Sequence, residues 1–159
     1  MVFSNATLHW ITNSKKMYAL LYNALKPGGR LAVHQGGDGS YKGLHDVVRQ
    51  AAENIGVAKN LQNWTFPVFY PTKEEMEKLL LDVGFTQISV ESVYSDGSEY
   101  EHLIENFENA SLIYYKPMLD SEECYKALVK EYRRLCSIQP VDTSTHRLYI
   151  QALKPNAYR

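Results

Sequence analysis

The sequence predicts a mixed α/β fold within a single domain, residues 1–159. Two observations predict it. Segments whose apolar residues recur three and four positions apart, as on one face of a helix, alternate with short runs rich in β-branched and aromatic residues, as in strands. Gly and Pro stand at several of the junctions between these segments, where they end one element before the next begins. An apolar share of 45% is ample for one buried core in a chain of this length.

The chain begins with a predicted strand and helix. Residues 2–4 form the strand, which runs into a polar tip. Asn13 or Ser14 can cap the helix with a side-chain oxygen. Pro27-Gly28 ends it, because Pro cannot continue a helix and Gly suits the turn. The predicted buried face consists of Met17, Leu20, Leu21, Ala24 and Leu25.

The middle of the chain predicts a buried strand, two helices and a half-buried strand. Residues 31–33 form the buried strand, and the apolar positions within 44–55 mark the next helix. Thr72 and Glu75 form a capping box, in which each side chain bonds a backbone N–H of the other residue, at the start of a further helix. Residues 85–94 alternate apolar and polar positions, as in a strand with one buried face.

Two further helices and a last strand complete the prediction. Tyr100 and Phe107 belong to the first of these helices, and Ser121 caps the second. Residues 148–153 form the final strand. The predicted order of elements is therefore βαβααβααβ.

Composition excludes several classes of function. The net charge is −1 with both signs mixed along the chain, so nothing favours nucleic acid or an anionic membrane as a partner. No apolar run reaches the ~18 residues of a membrane span, and no Cys/His cluster has the spacing of a zinc site. Cys124 and Cys136 fall on one predicted helix roughly 18 Å apart, too far to bridge. We expect them to be buried thiols in a reducing compartment, and the absence of an export signal predicts a cytoplasmic location.

Three segments carry a resemblance to a known family. F-S-N-A-x-L-H-W spans 3–10, K-P-G-G spans 26–29, and a segment with glutamates, leucines and a Gly-Phe end spans 71–85. Together they resemble the fourth strand tip, the turn into the fifth strand and the helix before the sixth strand of class I S-adenosylmethionine-dependent methyltransferases. In pattern they are most similar to the trans-aconitate and malonyl-carrier-protein carboxyl O-methyltransferases. The resemblance covers nearly the whole chain but only about half of the family fold.

The resemblance implies a fold and an activity. It implies a partial Rossmann-like sheet with strand order 4-5-7-6, in which the last strand is antiparallel, and a helical cap-like insertion at 98–138. It implies S-adenosylmethionine as the cofactor and methyl transfer to a small-molecule carboxylate by in-line displacement at the sulfonium. Such a transfer needs no strong base, because the carboxylate is already anionic at neutral pH.

The same resemblance assigns roles to the strand tip. Ser4, Asn5 and Ala6 would border the methionine part of the cofactor, although Ser and Asn also favour turns and could simply end the strand. His9 would position an acidic group of the substrate, and Trp10 would form a wall of the methyl-transfer cavity. The alternatives are core packing for Trp10 and an exposed or internally bonded imidazole for His9.

Gln35 and Gly36, at the end of the next strand, are further substrate-binding candidates at the same edge of the sheet. The glycines that follow could suggest a dinucleotide-binding loop. We reject that interpretation, because the spacing is G-x-G-x-x-x-G and no acidic residue ends a second strand ~20 residues later. A flexible loop beside a substrate cavity fits better.

An aromatic segment, Trp64 to Tyr70, leaves two interpretations open. It could roof an apolar substrate, or it could form a satellite core beneath a long loop, which is the more usual role of such a cluster. Tyr114 and Tyr115, within the cap-like insertion, could also reach a substrate.

The family's glycine-rich cofactor loop lies upstream of the fourth strand and is not in this sequence. We therefore expect weak or absent cofactor binding by this chain alone. The strand at residues 2–5 would be a sheet edge, and an unpaired edge is a template for association. We expect a homodimer, or pairing with an N-terminal half. Two functions follow: a methyltransferase fragment, or a non-catalytic remnant that acts as a dimerising or partner-binding module.

Overall fold

A computed structural model describes residues 1–98 and 102–156 and confirms the α/β fold class. The described elements follow the predicted order. The strands are β1 (Val2–Asn5), β2 (Arg30–Gly36), β3 (Thr86–Ser95) and β4 (Thr145–Leu153). The helices are α1 (Ser14–Ala24), α2 (Lys42–Asn54), α3 (Lys73–Val83), α4 (Leu103–Ser111) and α5 (Glu122–Ile138). Tyr100, which we assigned to the helix that became α4, lies outside the described residues.

The four strands form one open sheet in the order β1-β2-β4-β3. β1 is parallel to β2, with Asn5 opposite His34, and β4 is antiparallel to β2, with Gly36 opposite Arg147. This is the order, and the antiparallel last strand, that the family resemblance implied. The consequence for function is that the end of β1, the end of β2 and the start of β4 all meet at one edge of the sheet.

Contacts divide the chain into two compact units. The sheet unit comprises residues 1–40, 68–94 and 145–156, and the helical unit comprises Tyr41–Pro67 with the described residues of 95–144. The sheet unit holds α1 and α3, and the helical unit holds α2, α4 and α5. A single domain with an insertion at 98–138 stays a prediction.

The core of the sheet unit lies between the sheet and the helices α1 and α3. Its fully buried members include Tyr18, Leu31, Met76 and Phe85. The prediction for α1 was wrong at Leu20, which is 59% exposed and lies outside the core. Tyr18 is buried instead. It lies on the face of α1 that is turned toward the sheet, where its hydroxyl bonds the side chain of Gln35 on β2.

The core of the helical unit is formed where α2 packs on α5. Leu44, Val48, Leu128 and Tyr132 are fully buried there. The two cysteines are only partly buried at the margin of this core, which corrects the expectation of buried thiols.

Local capping fixes where the helices begin. The Asn13 side chain accepts a hydrogen bond at the start of α1, Thr72 and Glu75 form the predicted reciprocal capping box at α3, and Ser121 caps α5. Within the described residues, no helix is both long and apolar enough to cross a membrane.

Candidate functional site

The tip of β1 is held by His34 of β2. The His34 Nδ1 atom lies 2.6 Å from the Asn5 Oδ1 atom, and the Ala6 backbone N–H donates to the His34 carbonyl oxygen at 2.8 Å. Ala6 has a φ of 52°, so the chain turns sharply at the end of the strand. Asn5 and Ala6 are exposed and Ser4 is half-buried. The three predicted cofactor residues thus form a fixed and accessible strand end.

His9 lies in a short 3₁₀ turn, Leu8–Trp10, directly after this tip. It is only 5% exposed, and its ring centroid is 5.2 Å from that of Trp10 and 5.5 Å from that of Tyr70. The Phe69 backbone N–H donates to the His9 carbonyl oxygen at 2.7 Å. Among the described residues the His9 Nδ1 atom has no hydrogen-bond partner. The imidazole is therefore buried but not fully satisfied internally.

The surroundings of His9 hold its ring neutral. Its pKa is lowered from 6.5 to about 4, first by burial and then by the electrostatic influence of Arg147 and His34. The pKa of His34 is lowered by the same two causes, burial first and Arg147 second. Three nitrogen-bearing side chains thus share one small region, and the two imidazoles are uncharged at pH 7.

Gln35 points to the opposite face of the sheet from His34, because successive residues of a strand alternate. It is fully buried, and its Oε1 atom accepts a hydrogen bond from the Tyr18 hydroxyl at 2.9 Å. Its Nε2 atom has no partner within the described chain. Its role in binding substrate remains a prediction.

Gly36 lies under the ring of Tyr70. A Cβ atom at this position would overlap that ring, so only glycine allows Tyr70 to cover the end of β2. This places Tyr70 between the strand end and His9.

The loop after Gly36 is tied down at several points. The Gly37 N–H donates to the His146 carbonyl oxygen at 2.9 Å, and the Asp38 N–H donates to the Pro71 carbonyl oxygen at 3.0 Å. The His146 Nδ1 atom lies 2.8 Å from the Asp38 carbonyl oxygen, and its Nε2 atom lies 2.7 Å from the Ser92 hydroxyl. His146 therefore carries its proton on Nδ1 and accepts from Ser92, and it holds this loop against β4.

The aromatic segment before α3 contributes residues to both units. Trp64 and Phe66 pack at the margin of the helical core, as a satellite core would, whereas Phe69 and Tyr70 belong to the sheet unit. In the helical unit the Tyr115 hydroxyl lies 2.6 Å from the His45 Nδ1 atom. Tyr115 is buried by this arrangement, while Tyr114 is 36% exposed.

One groove lies on the helical unit and is lined mostly by residues of α5. Its volume is about 920 Å³, with apolar Ile113 and Val129 and a charged margin that includes Lys130 and Arg133. Arg133 is paired there with Glu108. Size alone does not make it a site, since its polar side chains are paired or exposed rather than buried and convergent. No group of side chains among the described residues could hold a metal ion.

Sequence reasoning missed His34 and Arg147, and it named Tyr70 only as part of the aromatic segment. The alternation of β2 and β4 could have placed His34 and Arg147 on one face of the sheet. It could not have placed Tyr70 over Gly36, because that contact joins a loop to a strand end far away in sequence.

Sequence comparison finds one curated relative of note. The chain is 24% identical over 156 residues to malonyl-[acyl-carrier protein] O-methyltransferase 2 of Ilyobacter polytropus. The match includes 94% of this chain and 56% of the relative, so the chain spans about half the length of the curated relative it matches. No protein-family model matches the chain.

Solved structures share the fold. Loganic acid methyltransferase with S-adenosylhomocysteine superposes with a TM-score of 0.61 at 13% identity, over 97% of this chain and 61% of that one. Haemonchus contortus phosphoethanolamine N-methyltransferase 2, in complex with phosphomonomethylethanolamine and S-adenosylhomocysteine, superposes with a TM-score of 0.50 at 23% identity, over 98% of this chain and 33% of that one. At these identities the likeness establishes the fold.

Proposed function

From the premise that this chain carries part of the class I S-adenosylmethionine-dependent methyltransferase fold, we propose that it forms the acceptor side of an enzyme that methylates small-molecule carboxylates. The curated relative reported above is named a malonyl-[acyl-carrier protein] O-methyltransferase. The observation that carries the proposal is His9, a buried, neutral imidazole directly after the strand tip, whose Nδ1 atom has no hydrogen-bond partner among the described residues.

The strand tip fits the amino-acid end of S-adenosylmethionine. Asn5 and Ala6 are exposed there, so the strand end is accessible to a ligand with an amino and a carboxylate group. When bound, the cofactor supplies an activated methyl group on a positively charged sulfur. Ser4, Asn5 and Ala6 would hold its methionine part.

The remaining residues position the acceptor and exclude water. A carboxylate needs no base to become nucleophilic at neutral pH, so the chain has only to bind and orient it. His9, neutral at pH 7, can donate one hydrogen bond to a carboxylate oxygen without taking the proton from it. The rings of Trp10 and Tyr70 close around His9 and restrict water at that point.

Titration with S-adenosylhomocysteine, followed by backbone NMR, tests the cofactor side. We expect weak binding that shifts the signals of residues 4–6 and His34, whereas adenosine alone shifts them much less. Asn5→Ala removes the side chain that fixes His34 and should weaken binding by about fivefold to tenfold. The matched control is Asn23→Ala, an exposed asparagine on α1. Millimolar ligand without any shift at the strand tip would contradict the proposal.

The acceptor class is tested with methyl-labelled S-adenosylmethionine and a panel of carboxylic acids. Label that base releases as methanol identifies a methyl ester and supports the proposal. Base-stable label would mean a nitrogen or carbon acceptor, and would rule out a carboxylate.

A second candidate, a non-catalytic dimerising module, is favoured by one face of the sheet. Phe3, Ala32 and Gln151 are aligned across β1, β2 and β4 on the face that carries Tyr149. Phe3 is 68% exposed and belongs to β1, the strand at one edge of the sheet. Tyr149, on β4, is 44% exposed. Such an apolar face next to an open edge suits pairing with a second copy of this chain.

Sedimentation equilibrium tests this second candidate. The wild-type chain should dimerise at micromolar to tens of micromolar concentration, and Phe3→Asp should raise the dissociation constant at least about tenfold. Leu81→Asp is the matched control, because Leu81 is a similarly exposed apolar residue (62%) on α3. A wild-type chain that stays monomeric throughout this range excludes the dimer.

A further inference from the structure

We propose that Arg147 is the acceptor-binding residue of this site: together with His9 and His34 it forms an anion site that takes the carboxylate of the methyl acceptor. This inference rests on the proposed function and adds a residue that the sequence motifs do not contain. The argument depends on the position of Arg147 in the sheet, on the unmatched nitrogens around it and on charge.

The strand register places Arg147 at the end of the sheet where β1 and β2 end and β4 begins. It is opposite Gly36 on β2, two residues along the same face from His34. Gly36 has no side chain, and the ring of Tyr70 lies over this position beside the arginine's place in the sheet. Tyr149, two residues further along β4, stacks on His34 with a centroid distance of 4.6 Å and an interplanar angle of 14°, which fixes that imidazole.

Arg147 lies on the same face of the sheet as His34, across from Gly36. Its positive charge contributes, after burial, to the lowered pKa of His9 and of His34. Among the described residues, the side chains whose charge acts on the His9 ring are Arg147 and His34, and both are basic. This region holds one cation, Arg147, and disfavours a positive charge on either imidazole. Such a region is complementary to an anion.

Two buried nitrogens in this region lack partners among the described residues, Nδ1 of His9 and Nε2 of His34. An unsatisfied buried polar atom is costly, and such atoms mark places where a ligand or water completes the hydrogen bonding. A carboxylate offers two oxygens with about four acceptor positions. It can accept from the arginine fork and from His9 at the same time.

Binding of a carboxylate should also be coupled to protonation of His34. Its Nδ1 atom faces the Asn5 carbonyl-type oxygen and therefore carries the proton, which leaves Nε2 as an acceptor while the ring is neutral. A bound carboxylate would favour the protonated ring, in which Nε2 donates. Anion binding should therefore raise the pKa of both histidines and be accompanied by an uptake of protons.

The probe is octanoate, a carboxylate with an apolar tail, and octanamide is its uncharged counterpart. Binding is followed by the Cε1–H signals of His9 and His34 across pH 4 to 8, in the purified chain without cofactor. We expect octanoate to shift both signals and raise both pKa values, and octanamide to do neither. Equal binding of the amide, or no binding of octanoate at millimolar concentration, would overturn the proposal.

Arg147→Gln should weaken octanoate binding at least about tenfold, and Arg147→Lys should retain part of it, because a lysine keeps the charge but loses the two-pronged geometry. Without octanoate, Arg147→Gln should also raise the pKa of His9, since one of the charges that lower it is gone. Arg30→Gln is the matched control: Arg30 is exposed at the opposite end of the same strand pair, across from Leu153. Unchanged affinity in Arg147→Gln would overturn the proposal. If Arg147→Gln does not fold, the wild-type titration and Arg147→Lys still decide it.

A second arm separates the two possible sources of the carboxylate. If S-adenosylhomocysteine shifts the two histidines while octanoate does not, the anion site belongs to the cofactor, and the assignment to the acceptor is wrong. If octanoate binds through Arg147 while S-adenosylhomocysteine leaves residues 4–6 unchanged, the anion site stands and the methyltransferase proposal fails.

Discussion

Lowering the pH from 7 to 4.5 is expected to reduce the free energy of unfolding by about 4 kcal/mol, from two buried histidines alone. Burial lowers the pKa of His9 to about 4, and burial followed by the charge of Arg49 lowers that of His45 to about 4, against an ordinary value of 6.5. In the unfolded chain both rings gain a proton as the pH falls through 6.5, whereas in the folded chain they stay neutral until about 4. The stability is therefore complete above pH 6.5 and is lost progressively down to 4.

His45 shows the physical cause most clearly. Its ring packs at 4.4 Å from Phe66 and 4.9 Å from Phe107, and its Nδ1 atom bonds the Tyr115 hydroxyl. These neighbours offer no negative charge that could favour an imidazolium, and the small opposing effect of Asp46 is outweighed. Protonation of His45 therefore destabilises this part of the helical unit.

Urea unfolding at a series of pH values measures the effect. His45→Phe should reduce the loss of stability between pH 6.5 and 4.5 by about half, since it removes one of the two titrations. Its absolute stability can fall, because Tyr115 loses its hydrogen-bond partner, so the slope with pH is the quantity to compare. Asn23→Ala, which changes an exposed side chain that does not titrate, is the control and should leave the slope unchanged. A flat profile for the wild-type chain across this range would refute the expectation.

Gly97→Ala is expected to lower the free energy of unfolding of the helical unit by about 3–5 kcal/mol. Gly97 has a φ of 82°, a conformation that side chains with a Cβ atom disfavour. Its Cβ atom would also collide with the carbonyl oxygen of Thr143. Backbone cannot move aside as a flexible side chain can, and Thr143 is held in place because its hydroxyl donates to the Asp96 carbonyl oxygen at 3.0 Å.

Gly56→Ala separates the two causes. Gly56 has nearly the same φ, 80°, at the end of α2 in the same unit, but a Cβ atom there would meet open space. We expect a cost of about 1 kcal/mol, which is the backbone term alone. Chemical denaturation of both variants gives the difference, and costs of equal size would show that the collision with Thr143 is relieved at little expense.

Helix boundaries were predictable because capping is local. Asn13, Thr72 with Glu75, and Ser121 each bond a backbone group within three residues. Such bonds join residues that are close in sequence, so they can be predicted without the rest of the structure. The prediction failed at Leu20 because apolar spacing alone does not decide which side of a broad apolar stripe faces the core. The hydrogen bond from Tyr18 to the buried Gln35 decides it.

The candidate site was predictable only in part. Residues 4–6, His9 and Trp10 stand together in one motif, and a strand followed by a turn keeps them together in space. Arg147 lies far away in sequence and carries no motif. It reaches the site because β4 inserts antiparallel beside β2 and brings its first residues to the end of that strand.

The sequence by itself thus determined the types of the elements, their order and the polar segment at the end of β1. These follow from propensities and periodicities that act over a few residues. Only the tertiary structure decided that Tyr70 covers Gly36, that His9 is buried beside a cation, and that the imidazoles stay neutral. Each of these depends on which distant side chains come within a few ångströms of one another, and burial and charge at such distances set the pKa values on which the proposed chemistry rests.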